Sequence, residues 1–90
     1  MTKDYRSKDG SAMFRFHFTQ EGDQIAVWCL SHPPLQAGRD PSPQKTHLFP
    51  SGRLCFAVGH EPHNQARAQE LARQWAEYFL QYRKSGEAQY

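Results

Sequence analysis

Ninety residues suffice for one domain and are too few for two, so every motif in this chain must share a single small core. The formal charge of +2 comes from scattered Lys and Arg rather than a basic stripe, which argues against nucleic acid as a partner. No apolar run approaches the roughly 18 to 20 residues that span a bilayer, and residues 1–10 are polar rather than signal-like, so a cytoplasmic protein without a membrane partner is expected.

Hydrophobic residues make up 38% of the chain, and six Phe, four Tyr and two Trp supply large buried area per residue ordered. A core is therefore feasible, but at this size chain entropy nearly cancels hydrophobic gain, which leaves room for a partner or for self-association. A secreted domain this small would usually carry four or more cysteines, so Cys29 and Cys55 are expected as reduced thiols.

In chain order, residues 1–11 are charged and show no period that would bury a face; they read as a flexible leader, with the compact domain spanning 12–90. Over residues 13–19, Phe14, Phe16 and Phe18 alternate with Arg15, His17 and Thr19, the period of a strand with one buried face. Turn chemistry follows in Gln20-Glu-Gly-Asp-Gln24, and residues 25–30 are apolar on both faces, so the two segments predict a hairpin with the second strand more central. Pro33 and Pro34 cannot donate to a ladder, so the chain should leave the sheet there. A polar connection over residues 36–46 leads to a Pro50-Ser-Gly52 turn and a short apolar stretch, 54–58, read as another strand or extended segment.

Asn64 is placed to cap a helix whose apolar positions, Ala68, Leu71, Ala72, Trp75, Tyr78, Phe79 and Tyr82, follow three-and-four spacing. Arg83 and Lys84 suit the negative end of its dipole, and Gly86 supplies a stop. The aromatic stripe reads as core, and Arg73, Arg83 and Lys84 read as solvated face.

Cys55 lies just past the Pro-Ser-Gly turn, at the rim of the predicted sheet. A thiol there becomes a nucleophile when a neighbouring cation or donor stabilises its thiolate, and His47 and His60 are the nearest candidates. The plainer alternatives are a buried cysteine and a loop histidine bonded to backbone. Cys29, on the two-faced apolar strand, reads as core. Cys29-Leu-Ser-His32 and His60-Glu-Pro-His63 also space potential ligands three apart, which keeps a small zinc site as an alternative.

The run His47-Leu-Phe-Pro-Ser-Gly-Arg-Leu-Cys55 resembles the active-site stretch of ubiquitin-conjugating enzymes, which passes from His-Pro-Asn through a Tyr-Pro-Asp-Gly turn to an Ile-Cys or Leu-Cys pair. Cys55 falls on the thioester cysteine and His47 on the asparagine that serves the oxyanion; Lys45 and Thr46 replace the family's His and Pro. The pattern is closer to the divergent bacterial branch, where a histidine often precedes the turn. Trp28 to Leu35, ending in Pro33-Pro34-Leu35, resembles the strand and proline-rich exit of these proteins, and Trp75-Ala-Glu-Tyr-Phe-Leu-Gln-Tyr-Arg-Lys-Ser-Gly-Glu87 resembles their closing helix pattern.

This resemblance implies an α+β fold of ubiquitin-conjugating (UBC-like) type, an antiparallel β-meander packed against a C-terminal α-helix. It implies a thioester on Cys55, an activating enzyme and a ubiquitin-like protein as partners, transfer to a protein amine, no cofactor or metal, and a bacterial conjugation system of the kind tied to phage defence. A non-catalytic binding or scaffold module on the same fold is the alternative. Family members usually begin with a helix that docks the activating enzyme, and the polar residues 1–11 cannot form a comparable amphipathic one.

Overall fold

The computed structural model describes residues 1–86, so Glu87 of the closing helix pattern and the last residues of the predicted 12–90 domain lie outside the described residues. The alternation of Phe14, Phe16 and Phe18 produces strand β2 (Met13–Glu21) with all three rings buried, and the apolar run after the Gly22-Asp23 turn produces β3 (Gln24–Ser31). They pair antiparallel from Glu21↔Gln24 outward to Phe16↔Cys29, with a bulge between Arg15 and Phe16. Ile25, Val27 and Cys29 join the phenylalanines in the core, while Trp28 takes the opposite face and donates its indole N–H to Thr19 Oγ1 at 3.0 Å.

The expected flexible leader is not what residues 2–6 form. They make β1 (Thr2–Arg6), antiparallel to β2 with Thr2 opposite His17 and Arg6 opposite Met13, so the sheet is a three-stranded meander in the order β1-β2-β3. Four of the five side chains stay exposed, which is why no burial period marks the strand; main-chain pairing holds it instead. Two side chains fasten it further. Tyr5 donates its hydroxyl to the Glu77 carboxylate at 2.5 Å, and Asp4 pairs with Arg15 across the strands at 2.8 Å. The β1–β2 connection is locked by Asp9, whose carboxylate accepts from the Ser7 and Ser11 hydroxyls and the Ser11 amide; these donors pull its pKa down to about 2.

Beyond the proline exit comes a four-residue helix, α1 (Pro43–Thr46), which the polar sequence of residues 36–46 did not announce. The long helix α2 (Gln65–Ser85) starts where Asn64 accepts the Arg67 amide at 2.8 Å and ends where Gly86, at φ 78°, donates to Tyr82 O. Its stripe lies across the inner sheet face. Trp75 meets Phe14 and Phe16 edge-on at 5.9 and 6.0 Å, and Phe79 meets Phe14 at 6.2 Å. Among the described residues no helix is long and apolar enough to cross a membrane.

The polar tips of that stripe do a second job. Trp75 donates to Thr46 O at 2.9 Å, Tyr78 to Lys45 O and Tyr82 to Asp40 O at 2.7 Å, so the helix that covers the sheet also grips the long connection. Arg39 returns the contact, donating to the carbonyls of Tyr82, Arg83 and Lys84 and so satisfying the end of α2. Arg83, expected in solvent, donates to Pro34 O at 2.6 Å and ties the helix to the proline exit.

Adjacent residues on β2 test this layering. Phe14 is 1% exposed and Met13 44%. Phe14→Ala should cost about 3–5 kcal/mol, enough to unfold much of a domain this small, whereas Met13→Ala should change stability by less than about 0.5 kcal/mol. Urea denaturation followed by circular dichroism measures both, and equal losses would contradict the register.

Candidate functional site

The segment after α1 is shaped by β3. Phe49 N–H donates to Arg53 O and Gly52 N–H to Phe49 O, both at 2.9 Å, closing the Phe-Pro-Ser-Gly turn. The turn's return arm lies along the free edge of β3, where Cys29 N–H donates to Gly52 O at 2.7 Å and Leu54 N–H to Val27 O at 2.8 Å. Gly52 has φ 95°, and a Cβ there would stand 3.2 Å from Cys29 O, so this close approach requires glycine. Arg53 reaches over the outer face of Trp28 and pairs with Glu21 at 2.9 Å. The expected strand at residues 54–58 is thus reduced to isolated bridges, Trp28 with Arg53 and Leu48 with Leu54; beyond Leu54 the chain turns away, and Val58 is 95% exposed.

Cys55 follows directly. Its amide donates to His47 O at 2.8 Å, so the two residues that bracket the turn are pinned to each other. His47 closes α1 with φ 55°, the left-handed region that a non-glycine residue enters at a cost of about 1 kcal/mol or more. Its N–H donates to Pro43 O, and its ring stands edge-on to Tyr78 at 5.5 Å. Partial burial lowers the His47 pKa, so near neutrality the imidazole is uncharged and retains one N–H to donate.

Cys55 and His47 open onto one cleft of about 390 Å³, which also takes in His60, Arg67 and Gln74. Cys55 is half-buried and reduced. Arg67 and Gln74 come from α2 and flank Leu71, a three-and-four arrangement on the helix face next to the buried stripe; that spacing was available in the sequence as the signal for them. Arg67 is paired on its own helix with Glu70.

Cys29 is a different thiol. It is buried, donates to Ser31 O at 3.4 Å, and desolvation pushes its pKa up to about 12. It belongs to a second, larger cleft of about 600 Å³ between the proline exit and the Phe49–Gly52 turn, whose walls include His32, Leu35 and Phe79. The four residues of the zinc alternative are therefore divided. Cys29 and His32 line this cleft, with the His32 ring tilted against Phe79 at 4.8 Å and bonded to Pro33 O; His60 lines the other, and His63 bonds to Asp23 O at 2.9 Å. Among the described residues no three His, Cys, Asp or Glu side chains gather closely enough to hold a metal ion.

The two cysteines should separate cleanly by reactivity. At pH 8, iodoacetamide should modify Cys55 in the native protein and leave Cys29 unmodified until urea is added, as read by peptide mass spectrometry; equal native labelling would contradict the difference in burial. The raised pKa of Cys29 also has a sign in stability. Below the ordinary thiol value of 9.0 both states are protonated and the contribution is complete; as pH climbs toward about 12 the unfolded chain ionises first, and stability is lost. No family model, curated protein or solved structure matches this chain.

Proposed function

We propose that this protein is an acyl carrier of ubiquitin-conjugating type, in which Cys55 holds the C-terminus of a ubiquitin-like protein as a thioester and passes it to an amine. The observation that carries this reading is the pinning of Cys55 to His47 across the Phe49–Gly52 turn, at the mouth of an open cleft. The meander, the covering helix and the proline exit suit the UBC-like architecture that the His47 to Cys55 run resembles.

In the loading step the Cys55 thiolate attacks the carbonyl carbon of an activating enzyme's thioester, a new C–S bond forms, and the activating enzyme's thiolate leaves. In the transfer step an amine attacks the same carbon, the C–N bond forms, the Cys55 sulfur leaves, and the amine's proton passes to a base. Each step goes through a tetrahedral oxyanion that needs a fixed donor. His47 is suited to this: neutral, held by backbone at both its N–H and its carbonyl, and kept in a strained conformation of the sort that persists at working sites. A bacterial conjugation system, including one used against phage, is the setting that the resemblance suggests.

A second reading draws on the larger cleft. It lies apart from Cys55 and is walled by Leu35, Phe49 and Phe79, as a non-catalytic module that binds a protein segment would need.

Incubation with a charged activating enzyme, ATP and its ubiquitin-like protein decides between the two. The thioester reading expects an adduct cleaved by thiols, and Cys55→Ser should give an ester that resists them. His47→Ala should slow transfer about 100- to 1000-fold, while His47→Asn, which tolerates the left-handed backbone and keeps a donor, should retain most of it. A demonstrably charged activating enzyme that yields no adduct would favour the binding module.

A further inference from the structure

Five residues of extended chain would carry His60 roughly 16 Å from Cys55, yet both line the same cleft. The loop between them is folded back and tied at each end. Cys55 N–H is bonded to His47 O, and at the far end Pro62, fully buried, accepts the Ile25 amide at 2.9 Å. Between these anchors His60 N–H donates to Ala57 O at 2.9 Å, closing a tight turn through Gly59 at φ 86°, whose own amide donates to the Glu61 carboxylate at 2.9 Å. The backbone of His60 is therefore fixed while its side chain stays exposed at the cleft.

The composition of the cleft makes that placement chemical. Among the described residues its lining includes no carboxylate: Phe56, Ala57 and Leu71 offer no proton acceptor, Gln74 is an amide, and Arg67 is a donor paired with Glu70. The two imidazoles are the side chains of this lining that present a ring nitrogen able to accept a proton. His47 is half-buried, edge-on to Tyr78, and committed to the oxyanion in the reading above. Glu61, on the same loop as His60, lines a neighbouring hollow together with Cys55 and Arg53, and its carboxylate is engaged there by the Gly59 amide at 2.9 Å.

Resting on the thioester reading, we infer that His60 is the general base of the Cys55 cleft, accepting the proton from an incoming primary amine as it attacks the acyl carbon. As the C–N bond forms, the amine's proton moves to a ring nitrogen of neutral His60; the C–S bond breaks, Cys55 leaves as thiolate, and His60 returns its proton to the sulfur or to water. The two imidazoles then divide the work, His47 toward the oxyanion and His60 toward the nucleophile.

p-Nitrophenyl acetate, supplied in place of an activating enzyme, separates this role from the thioester reading. Acetylation of Cys55 is followed by mass spectrometry with Cys55→Ser as the control, and release of the acetyl group to glycinamide is then timed across pH 5.5–8.5. His60→Ala should leave the extent of acetylation and the melting temperature unchanged, slow release to the amine about 100-fold, flatten the imidazole limb of the pH profile, and recover more rate from added imidazole than the unmodified protein does. Gly59→Ala, strained at that φ, should slow release in the same way with Cys55 still acetylated. Release by His60→Ala at the original rate and pH dependence would overturn the role of His60 alone, as would a loss confined to His47→Gln. A Cys55 that takes up no acetyl group would overturn the thioester reading and the role of His60 with it.

Discussion

Three donors on one stripe of α2 hold the candidate site to the core. Trp75, Tyr78 and Tyr82 bury their rings in the core and aim an N–H or O–H at the carbonyls of Thr46, Lys45 and Asp40. A buried indole or phenol without a partner is costly, and these three carbonyls supply the acceptors while the ring donors hold the loop in place. Each therefore satisfies the other. The result couples two things that are often independent in small domains: the packing of the principal helix and the path of a long polar loop. Because α1 and His47 hang from that loop, displacing the helix would displace the histidine.

The opposite wall of the site is built by a different device. The free edge of β3 is partly covered, not by a full strand but by the return arm of the Phe49–Gly52 turn, through the amides of Cys29 and Leu54. Covering an edge blunts unwanted strand pairing, and stopping the cover at Leu54 releases the next residue from the ladder. That residue is Cys55. Its neighbour Leu54 is 2% exposed, so the thiol is carried by a segment rooted in the core while it faces a cleft itself.

The sequence was most legible where burial imposes a period. Phe14, Phe16 and Phe18, the apolar stripe of α2, its Asn64 cap and its Gly86 stop all lie where their spacing puts them. It was least legible where backbone bonds alone do the work. β1 exposes four of its five side chains, so Thr2–Arg6 looks like a leader although its main chain completes the sheet. α1 is too short to show a period, and residues 55–58, apolar in composition, turn away from the sheet, the edge amide of Ile25 bonding instead to Pro62 O further along the chain. Cys55 and His47 could be singled out from the motif around them. Their convergence with His60, Arg67 and Gln74 could not, since it depends on how two loops are tied down against a helix.

The two cysteines show how one small core can set opposite fates for the same chemical group. Cys29 points into the aromatic interior, where ionisation would place a charge among rings that cannot solvate it; burial pushes its pKa up to about 12 and keeps it an inert part of the packing. Cys55 is removed from that interior by a single turn of chain, and the backbone bond from its amide to His47 O holds it beside an imidazole that burial keeps neutral. A neutral imidazole cannot stabilise a thiolate by charge, so His47 is better fitted to donate a hydrogen bond to a developing oxyanion than to activate the sulfur. The same cleft offers a second, exposed imidazole at His60, while the Glu61 carboxylate, in the adjoining hollow that Cys55 also lines, is engaged by the Gly59 amide. In the thioester reading, with His47 turned to the oxyanion, the ring of His60 is the group on the tied loop placed to receive the amine's proton.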